Sequence, residues 1–503
     1  MKIYNSIVSW IIKKRIHHIE LFINYPHEVQ GKLRQHLIDS AKNTEFGKIY
    51  DFNSINNLKD FCTKIPLHTY EDLEPYITRM RSGEQNILWH TKIKWFAKSS
   101  GTTSSKSKFI PVSKEGIKDC HYKGGKDLLS LYCNNFPAKN IFDGKSLMLG
   151  GSHSISTLSN KMYEGDLSAI IMVNLPFWVL LQQSPAKEIA LMNEWEKKID
   201  LMAEQAIKED ISSISGIPSW ALVFAEKVLD KTRKENLHEV WPNLELYMHG
   251  GINFEPYKNQ FEKLFPKGIN YLETFNASEG FFGIQDQPNS REMLLMLDYG
   301  IYYEFISLEI SSTKNPQTIG LNEVVLGKDY EMVITTNTGL WRYRIGDTIQ
   351  FTNTNPYRFI ISGRTKHFMN AFGEELMIHN AEKAMELVCR NTQTEILEFT
   401  AAPKHITGKQ KAFHEWLIEF KKEPKDLVEF TSKFDEALKS LNSDYEAKRH
   451  KGLILTNPKI HCAKKGLFFN WMKRKGKLGG QNKVPRLSNN RKILEELLEL
   501  NRR

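Results

Sequence analysis

The chain has 503 residues, 41% hydrophobic and 25% charged, with a formal net charge of +10. That length exceeds one ordinary hydrophobic core, so two or three domains are expected, with the composition of a soluble globular protein. The charge does not mark nucleic-acid binding. Ten Lys/Arg and no Asp/Glu lie between His461 and Lys492, and removing those ten from 69 basic residues leaves 59 against 59 acidic ones. No basic face is left to follow a phosphate backbone, and a nucleic-acid partner is not expected.

The five cysteines (Cys62, Cys120, Cys133, Cys389, Cys462) are odd in number and none stands at metal-ligand spacing from another. A reducing, cytoplasmic setting without a disulfide framework or zinc cluster is expected. At the start of the chain, the apolar stretch Ile7 to Ile12 is interrupted by Ser9 and runs into Lys13, Lys14 and Arg15 without a small-residue cleavage site, unlike a signal peptide. Ile12, Ile16, Ile19 and Phe22 fall at helical spacing, which predicts a docked amphipathic helix, with a membrane-surface helix as the alternative. Residues 1 to about 90 read as polar helices packed as a collar on the main domain.

From Lys92 to Ala97 charged and apolar residues alternate, predicting a strand that runs into Phe96–Ser113, FAKSSGTTSSKSKFIPVS. Gly101 allows the backbone to turn its amides toward an anion, Ser99, Ser100, Thr102, Thr103, Ser104 and Ser105 add hydroxyl donors, and Lys106, Lys108 or both add charge. Such a loop suits the β- and γ-phosphates of ATP, although it is not a Walker A loop, because Ser105 rather than Gly precedes Lys106. A plain Ser/Thr-rich turn is the other reading.

Lys145 to Gly150 predicts a strand closing on Gly150, Gly151, Ser152 and His153, either a simple turn or the rim of a substrate pocket. Gly165 to Leu181 is the most apolar run, but Asn174 and Pro176 interrupt it and it is too short for a membrane span, so core burial is expected. Helices are predicted over Glu188 to Ile207 and within Ser215 to Asp230. A short strand, Leu244 to Met248, ends at Gly250 and Gly251, where a flat base could approach the backbone.

In Tyr271–Gln285, YLETFNASEGFFGIQ, a strand from Ile269 to Thr274 leads to Glu279. This carboxylate suits a phosphate site if Mg²⁺ lies between the two negative groups. In Thr335–Phe351, TTNTGLWRYRIGDTIQF, a turn at Asn337 to Gly339 precedes a strand from Trp341 to Phe351. Asp347 follows Gly346 and can accept hydrogen bonds from both ribose hydroxyls.

In order and rough spacing these three segments closely resemble the ATP-binding motifs of the Gretchen Hagen family of acyl-acid amido synthetases, within the adenylate-forming superfamily. The likeness runs through nearly the whole chain and is nearest to the bacterial branch. It implies a mixed α/β (α+β) adenylate-forming fold, with a large domain over 1–362 and a small mobile domain over 363–503. It also implies ATP as cosubstrate with Mg²⁺, a small carboxylic acid as one substrate and an amine as the other, with an amino acid as the expected class. Glu279 would be the metal ligand and catalytic carboxylate. Phe275, Asn276 and Ser278, with the Gly250–Gly251 turn, would border adenine, and Asp347 would bind ribose. Tyr343 and Arg344 would support the strand or the nucleotide. Phe177 and Trp178 would line an apolar acyl cavity. In one place the chain departs from the superfamily loop Ser-Gly-Thr-Thr-Gly-x-Pro-Lys: Ser104 stands at a Gly position and the lysine register slips by one, which leaves both Lys106 and Lys108 as candidates.

Past these motifs, Phe359 to Leu376 resembles the superfamily hinge, with Gly363 absorbing rotation and Arg364 in reach of ribose or α-phosphate. Strands are predicted at Thr394 to Ala401, Phe413 to Phe420 and Gly452 to Asn457, with helices from about Lys425 to Lys448 and from Asn490 to Leu500. Lys483 matches the family's Lys-x-Pro-Arg segment, and the resemblance makes it the cation that enters the site during adenylation. The other cations of the basic tail would hold leaving pyrophosphate, steer an acidic substrate, or form a solvated positive face. Two rival functions remain: an acyl-CoA ligase using the same adenylation chemistry, and a non-catalytic nucleotide-dependent binding or membrane-surface protein.

Overall fold

The computed structural model describes residues 10, 12–99, 108–150, 155–158, 161–192, 194–251, 254–311, 313, 315–364, 368–369, 376–404, 412–442, 445–446, 449, 455–476 and 483–502. The collar expected at the N-terminus is present as helices Ile16–Asn24, Pro26–Ala41, Glu45–Ile49, Leu58–Lys64 and Tyr70–Arg81. Their starts are set locally. Pro26 occupies a first-turn position where no amide is needed, Thr44 and Asn57 accept bonds from the amides of Gly47 and Asp60, and Asp72 returns a 2.7 Å bond to the Thr69 amide. Ile19 and Phe22 are buried, and Arg15 grips Asp127 with Nε and Nη2 at 2.7 and 2.9 Å. The first helix is therefore docked on the protein.

Strands β1 (Trp95–Ser99) and β2 (Lys108–Val112) form an antiparallel hairpin, and β1 also pairs with β5 (Tyr163–Gly165), which pairs with β4 (Ser156–Thr157). The main sheet has eleven strands. One half is parallel: β3 (Lys145–Met148), β6 (Gln183–Ser184), β7 (Ile211–Ser215), β8 (Leu246–Gly250) and β9 (Asn270–Ala277). The other half is antiparallel: β10 (Gly280–Ile284), β11 (Met293–Leu295), β12 (Ile301–Ser307), β13 (Asp329–Thr336), β14 (Tyr343–Thr354) and β15 (Tyr357–Arg364). The two halves meet at β9, parallel to β8 on one side and antiparallel to β10 on the other. The apolar run of the sequence folds into helices Leu167–Asn174 and Phe177–Leu180, with Leu167, Ala169, Ile170 and Met172 buried, so it is core as expected.

Beyond β15 come a two-stranded ribbon, β16 (Phe368–Met369) with β17 (Leu376–Met377), and a three-stranded sheet of β18 (Glu395–Lys404), β19 (Phe413–Lys422) and β20 (Lys459–Ala463). Alternation along β19 sends Trp416, Ile418 and Phe420 into a core under helices Ile378–Thr392 and Leu427–Leu441. Leu417 points the other way, into a core under helices Leu467–Arg474 and Lys492–Arg502. The mixed α/β architecture with a large N-terminal and a small C-terminal domain is thus present.

Several sequence expectations are corrected. The helix Leu427–Leu441 is shorter than the 425–448 span, because Asn442 leaves the helical region at φ −146° and its Oδ1 accepts from the Tyr445 amide. The third strand lies at Lys459–Ala463 rather than Gly452 to Asn457, where 452–454 fall outside the described residues and Leu455 makes only an isolated bridge to Ala412. Strand β14 begins at Tyr343, since Arg342 takes a positive φ of 42°. Among the described residues no helix is long and apolar enough to cross a membrane.

Candidate active site

A cleft of about 1050 Å³ opens at the carboxyl ends of β8 and β9, walled by both domains. Ligands of open α/β sheets bind in that position, where strand direction changes. Gly251 of the Gly-Gly turn lines the cleft. A Cβ on Gly250 would lie 2.3 Å from the Thr274 carbonyl oxygen, and Gly251 has φ +80° with a would-be Cβ 2.9 Å from Lys483 Nζ. Only glycine fits both positions. Lys483, carried by the small domain, donates a hydrogen bond to the Gly251 carbonyl across the cleft.

Asp347 on β14 also lines the cleft and pairs through its backbone with Arg364 on β15. Phe275 and Asn276 on β9 line it too; Asn276 is exposed, while the Phe275 ring packs 4.9 Å from Phe282 and 6.1 Å from Phe359. Phe275 is thus both core and cleft wall. Ser278 is buried and Glu279 half-buried in the turn between β9 and β10. Tyr343 ties the motifs together. Burial pushes its hydroxyl well above the ordinary tyrosine value, and the nearby Glu279, Glu71, Tyr70 and Asp347 push it the same way. Carboxylates of the second and third motifs therefore lie near enough to one buried phenol to act on it.

Tyr70 belongs to the first motif's surroundings: Lys108 at the foot of the β1–β2 hairpin lies 5.5 Å from its ring centroid, and its hydroxyl accepts from the Phe109 amide at 2.9 Å. Ser99 pairs with Lys108 to close the hairpin. The tip residues Ser100, Gly101, Thr102, Thr103, Ser104 and Lys106 lie outside the described residues, as do Gly151 and Ser152 and the side chains of Phe177, Trp178 and Arg364. Arg344 supports the strand: it pairs with Glu331 at 2.6 Å and donates to the Ser311 carbonyl.

Two further cleft residues are not evident from the motifs. His249 is 4% exposed, stacked 4.3 Å from Phe254, and burial lowers its pKa to about 3, so it is neutral. Glu273 sits two residues before Phe275, on the same face of β9, and that spacing is the one signal the sequence offers for it. Burial, reinforced by Glu382 and Glu255 and opposed by Arg291, raises Glu273 to about 7. The folded state then keeps a proton that the unfolded chain loses near the ordinary value of 4.5, so Glu273 costs stability as pH rises from about 4.5 to 7 and no more above that. Glu273→Gln is expected to raise stability at pH 8 by roughly 2 kcal/mol, allowing for solvent in the cleft, with the gap closing below pH 5. Denaturant melts at the two pH values check it; an equal gap at both would remove this cause.

Much of the basic tail is occupied by ion pairs: Lys473 with Glu196, Lys475 with Glu496, Arg486 with Glu382 and Glu398, and Arg491 with Glu415 and Glu495. Four of the segment's ten cations are thus engaged with carboxylates, while Lys465 of the same segment lines the cleft.

Profiles of the GH3 family match the chain in three consecutive parts: the N-terminal domain over residues 15–269, the central domain over 294–364 and the C-terminal domain over 379–492. The chain belongs to the GH3 family. Among its GH3 relatives is the indole-3-acetic acid-amido synthetase GH3.3 of Arabidopsis thaliana, 25% identical across 93% of this chain and 90% of that one. Another is the jasmonoyl–L-amino acid synthetase JAR4 of Nicotiana attenuata, 23% identical across 74% of this chain and 76% of its own length. The solved GH3.15 acyl acid amido synthetase superposes with a TM-score of 0.81 at 18% identity, covering 97% of this chain and 96% of that one. A 2-hydroxyisobutyryl-CoA ligase in the postadenylation state superposes at 0.59 and 12% identity over 94% of this chain and 91% of its own, a likeness of fold alone.

Among the described residues no group of three or more His, Cys, Asp or Glu is arranged to hold a metal ion. A single carboxylate such as Glu279 still fits Mg²⁺, which keeps several waters and commonly takes one or two protein carboxylates plus substrate phosphates.

Proposed function

We propose that this GH3 chain is an ATP-dependent acyl acid amido synthetase that activates a small carboxylic acid as its acyl-adenylate and passes the acyl group to an amine, with an amino acid as the preferred class. The observation that carries the reading is the small-domain Lys483 held at the Gly251 turn, in a cleft that Asp347 also lines. The relatives' names supply the amide-forming half. Within the family we place the chain on the bacterial branch, on the sequence resemblance; the two plant relatives share only about a quarter of its residues. We also place the domain boundary at 362/363, with Gly363 (φ +151°) as the hinge, and the protein in the cytoplasm.

In this reading the β1–β2 hairpin loop holds the β- and γ-phosphates and Asp347 accepts hydrogen bonds from the ribose hydroxyls. Phe275, Asn276 and the Gly250–Gly251 turn border the base. The substrate carboxylate attacks the α-phosphorus, the bond to pyrophosphate breaks, and Lys483 stabilises charge growing on the non-bridging oxygens. Mg²⁺ bound through Glu279 would supply charge neutralisation for the triphosphate. A neutral amine then attacks the acyl carbonyl, the bond from the acyl carbon to AMP breaks, and the nitrogen releases a proton to solvent.

Acid-dependent pyrophosphate release from ATP, measured over a panel of carboxylic acids, tests the reading, with amino acids, other amines and coenzyme A added separately. The additive that raises turnover names the acceptor; turnover raised only by coenzyme A would replace the amide reading with thioester formation. Asp347→Ala is expected to raise the KM for ATP about 10- to 100-fold, the loss of one or two hydrogen bonds to a charged group. An unchanged KM would remove Asp347 from the ribose site.

A further inference from the structure

The segment that carries Lys483 is braced against the small domain. The Thr400 hydroxyl donates to the Pro485 carbonyl at 2.6 Å, the Ala401 amide to the Arg486 carbonyl at 2.8 Å, and the Ser488 amide to the Ala401 carbonyl at 3.1 Å, so residues 485–488 run along the edge of β18. Val484 and Leu487 are buried beside it. Within this segment Lys483 can be placed relative to the nucleotide site only by placing the segment as a whole.

Arg486 is the residue that reaches out of the small domain. Its guanidinium is 5% exposed, with Nη1 on Glu382 and Nε 3.1 Å from Glu398, both small-domain carboxylates, and Nη2 2.7 Å from the Tyr257 hydroxyl of the large domain. Burial works against the Arg486 charge, and the carboxylates of Glu398 and Glu382 favour it. Tyr257 stays protonated, since burial raises its pKa, so its hydroxyl accepts from Arg486 and has one proton to give, to the Leu397 carbonyl at 3.3 Å. Both its bonds cross to the small domain. Two contacts thus run side by side between the same two stretches of chain: Lys483 to Gly251, and Arg486 to Tyr257.

We infer that the Arg486–Tyr257 hydrogen bond registers Lys483 against the Gly251 turn, which makes Tyr257 and Arg486 positioning residues for adenylation. The inference rests on the reading of Lys483 given above. A planar, buried fork fixes direction as well as distance, which a flexible lysine side chain does not do for itself. The remaining cross-domain bonds near it, such as Gln260 to the Ile396 carbonyl at 3.0 Å, hold the domains together without touching the Lys483 segment.

The test is a double-mutant cycle on acid-dependent ATP–pyrophosphate exchange, with an acid found active in the panel. Tyr257→Phe keeps the ring and removes both bonds; it is expected to lower kcat about tenfold while leaving the KM for ATP within about twofold. In the Lys483→Ala background the same substitution is expected to cost less than about twofold, because a residue that acts through Lys483 has nothing left to position. Arg486→Lys, which retains the charge facing Glu382 and Glu398 but loses the fork, is expected to behave like Tyr257→Phe. An equal cost in both backgrounds would show a general structural role and overturn the inference while leaving the Lys483 reading intact, as would no cost in either. Full exchange activity in Lys483→Ala itself would instead sink the reading of Lys483, and the inference with it.

Discussion

Lys483→Ala is expected to lower the rate of acid-dependent pyrophosphate exchange by about 100- to 1000-fold, with little change in ATP affinity. The size comes from the task. A cation aimed at oxygens that gain charge only as the α-phosphorus is attacked acts mainly on the transition state, and removing one such preorganised donor costs on the order of 3–4 kcal/mol. Lys483 already spans the cleft to the Gly251 carbonyl, so little reorganisation is needed to bring its ammonium to a nucleotide seated on that turn. In the proposed reading ATP binding by contrast draws on the hairpin loop, Asp347 and the base-bordering residues, which the substitution leaves in place. Exchange kinetics over a range of ATP concentrations check the split. A raised KM with an unchanged kcat would make Lys483 a ground-state phosphate contact instead.

That lysine is picked out in the sequence by the resemblance of its Lys-x-Pro-Arg segment to the family's, a match written in adjacent residues. The hairpin around the Ser/Thr-rich loop and the Gly250–Gly251 turn are backbone requirements written in adjacent residues, and Asp347 after Gly346 is picked out by the resemblance of its local motif. What stays hidden is pairing over long separations. Nothing near Arg486 announces a hydroxyl 229 positions away, and nothing near Glu273 announces that Glu382 and Glu255 will crowd it. The helix Ile378–Thr392 is missing from the sequence reading although Ile378, Ala381, Met385 and Val388 recur at helical spacing, because its start abuts the hinge-like stretch. Arg344 is a case where two readings stand open in the sequence. Its place in the third motif suggests the nucleotide as well as the strand, whereas its bond to Glu331 satisfies it within the sheet.

The second large effect is on stability, at Arg342. This residue lies in the same motif, yet its side chain points away from the cleft and is 6% exposed, against 2% for its partner Glu304. Nε and Nη2 bind the Glu304 carboxylate, Nη1 binds the Cys62 and Ile65 carbonyls at 2.9 and 2.7 Å, and Nη2 also reaches Thr318 at 2.8 Å. One guanidinium therefore joins the helical collar to β12 and to the segment after it. Arg342→Ala would leave a buried carboxylate without its counter-ion and two collar carbonyls without donors, and is expected to cost about 3–5 kcal/mol in denaturant unfolding. Replacing both partners, Arg342→Met with Glu304→Leu, removes the unpaired charge and is expected to recover most of that loss, because a buried pair contributes little beyond a well-packed apolar equivalent. Recovery should stay incomplete, since the Cys62 and Ile65 carbonyls remain unanswered. A double variant no more stable than Arg342→Ala would mean that the collar contacts, rather than the buried charge, carry the cost.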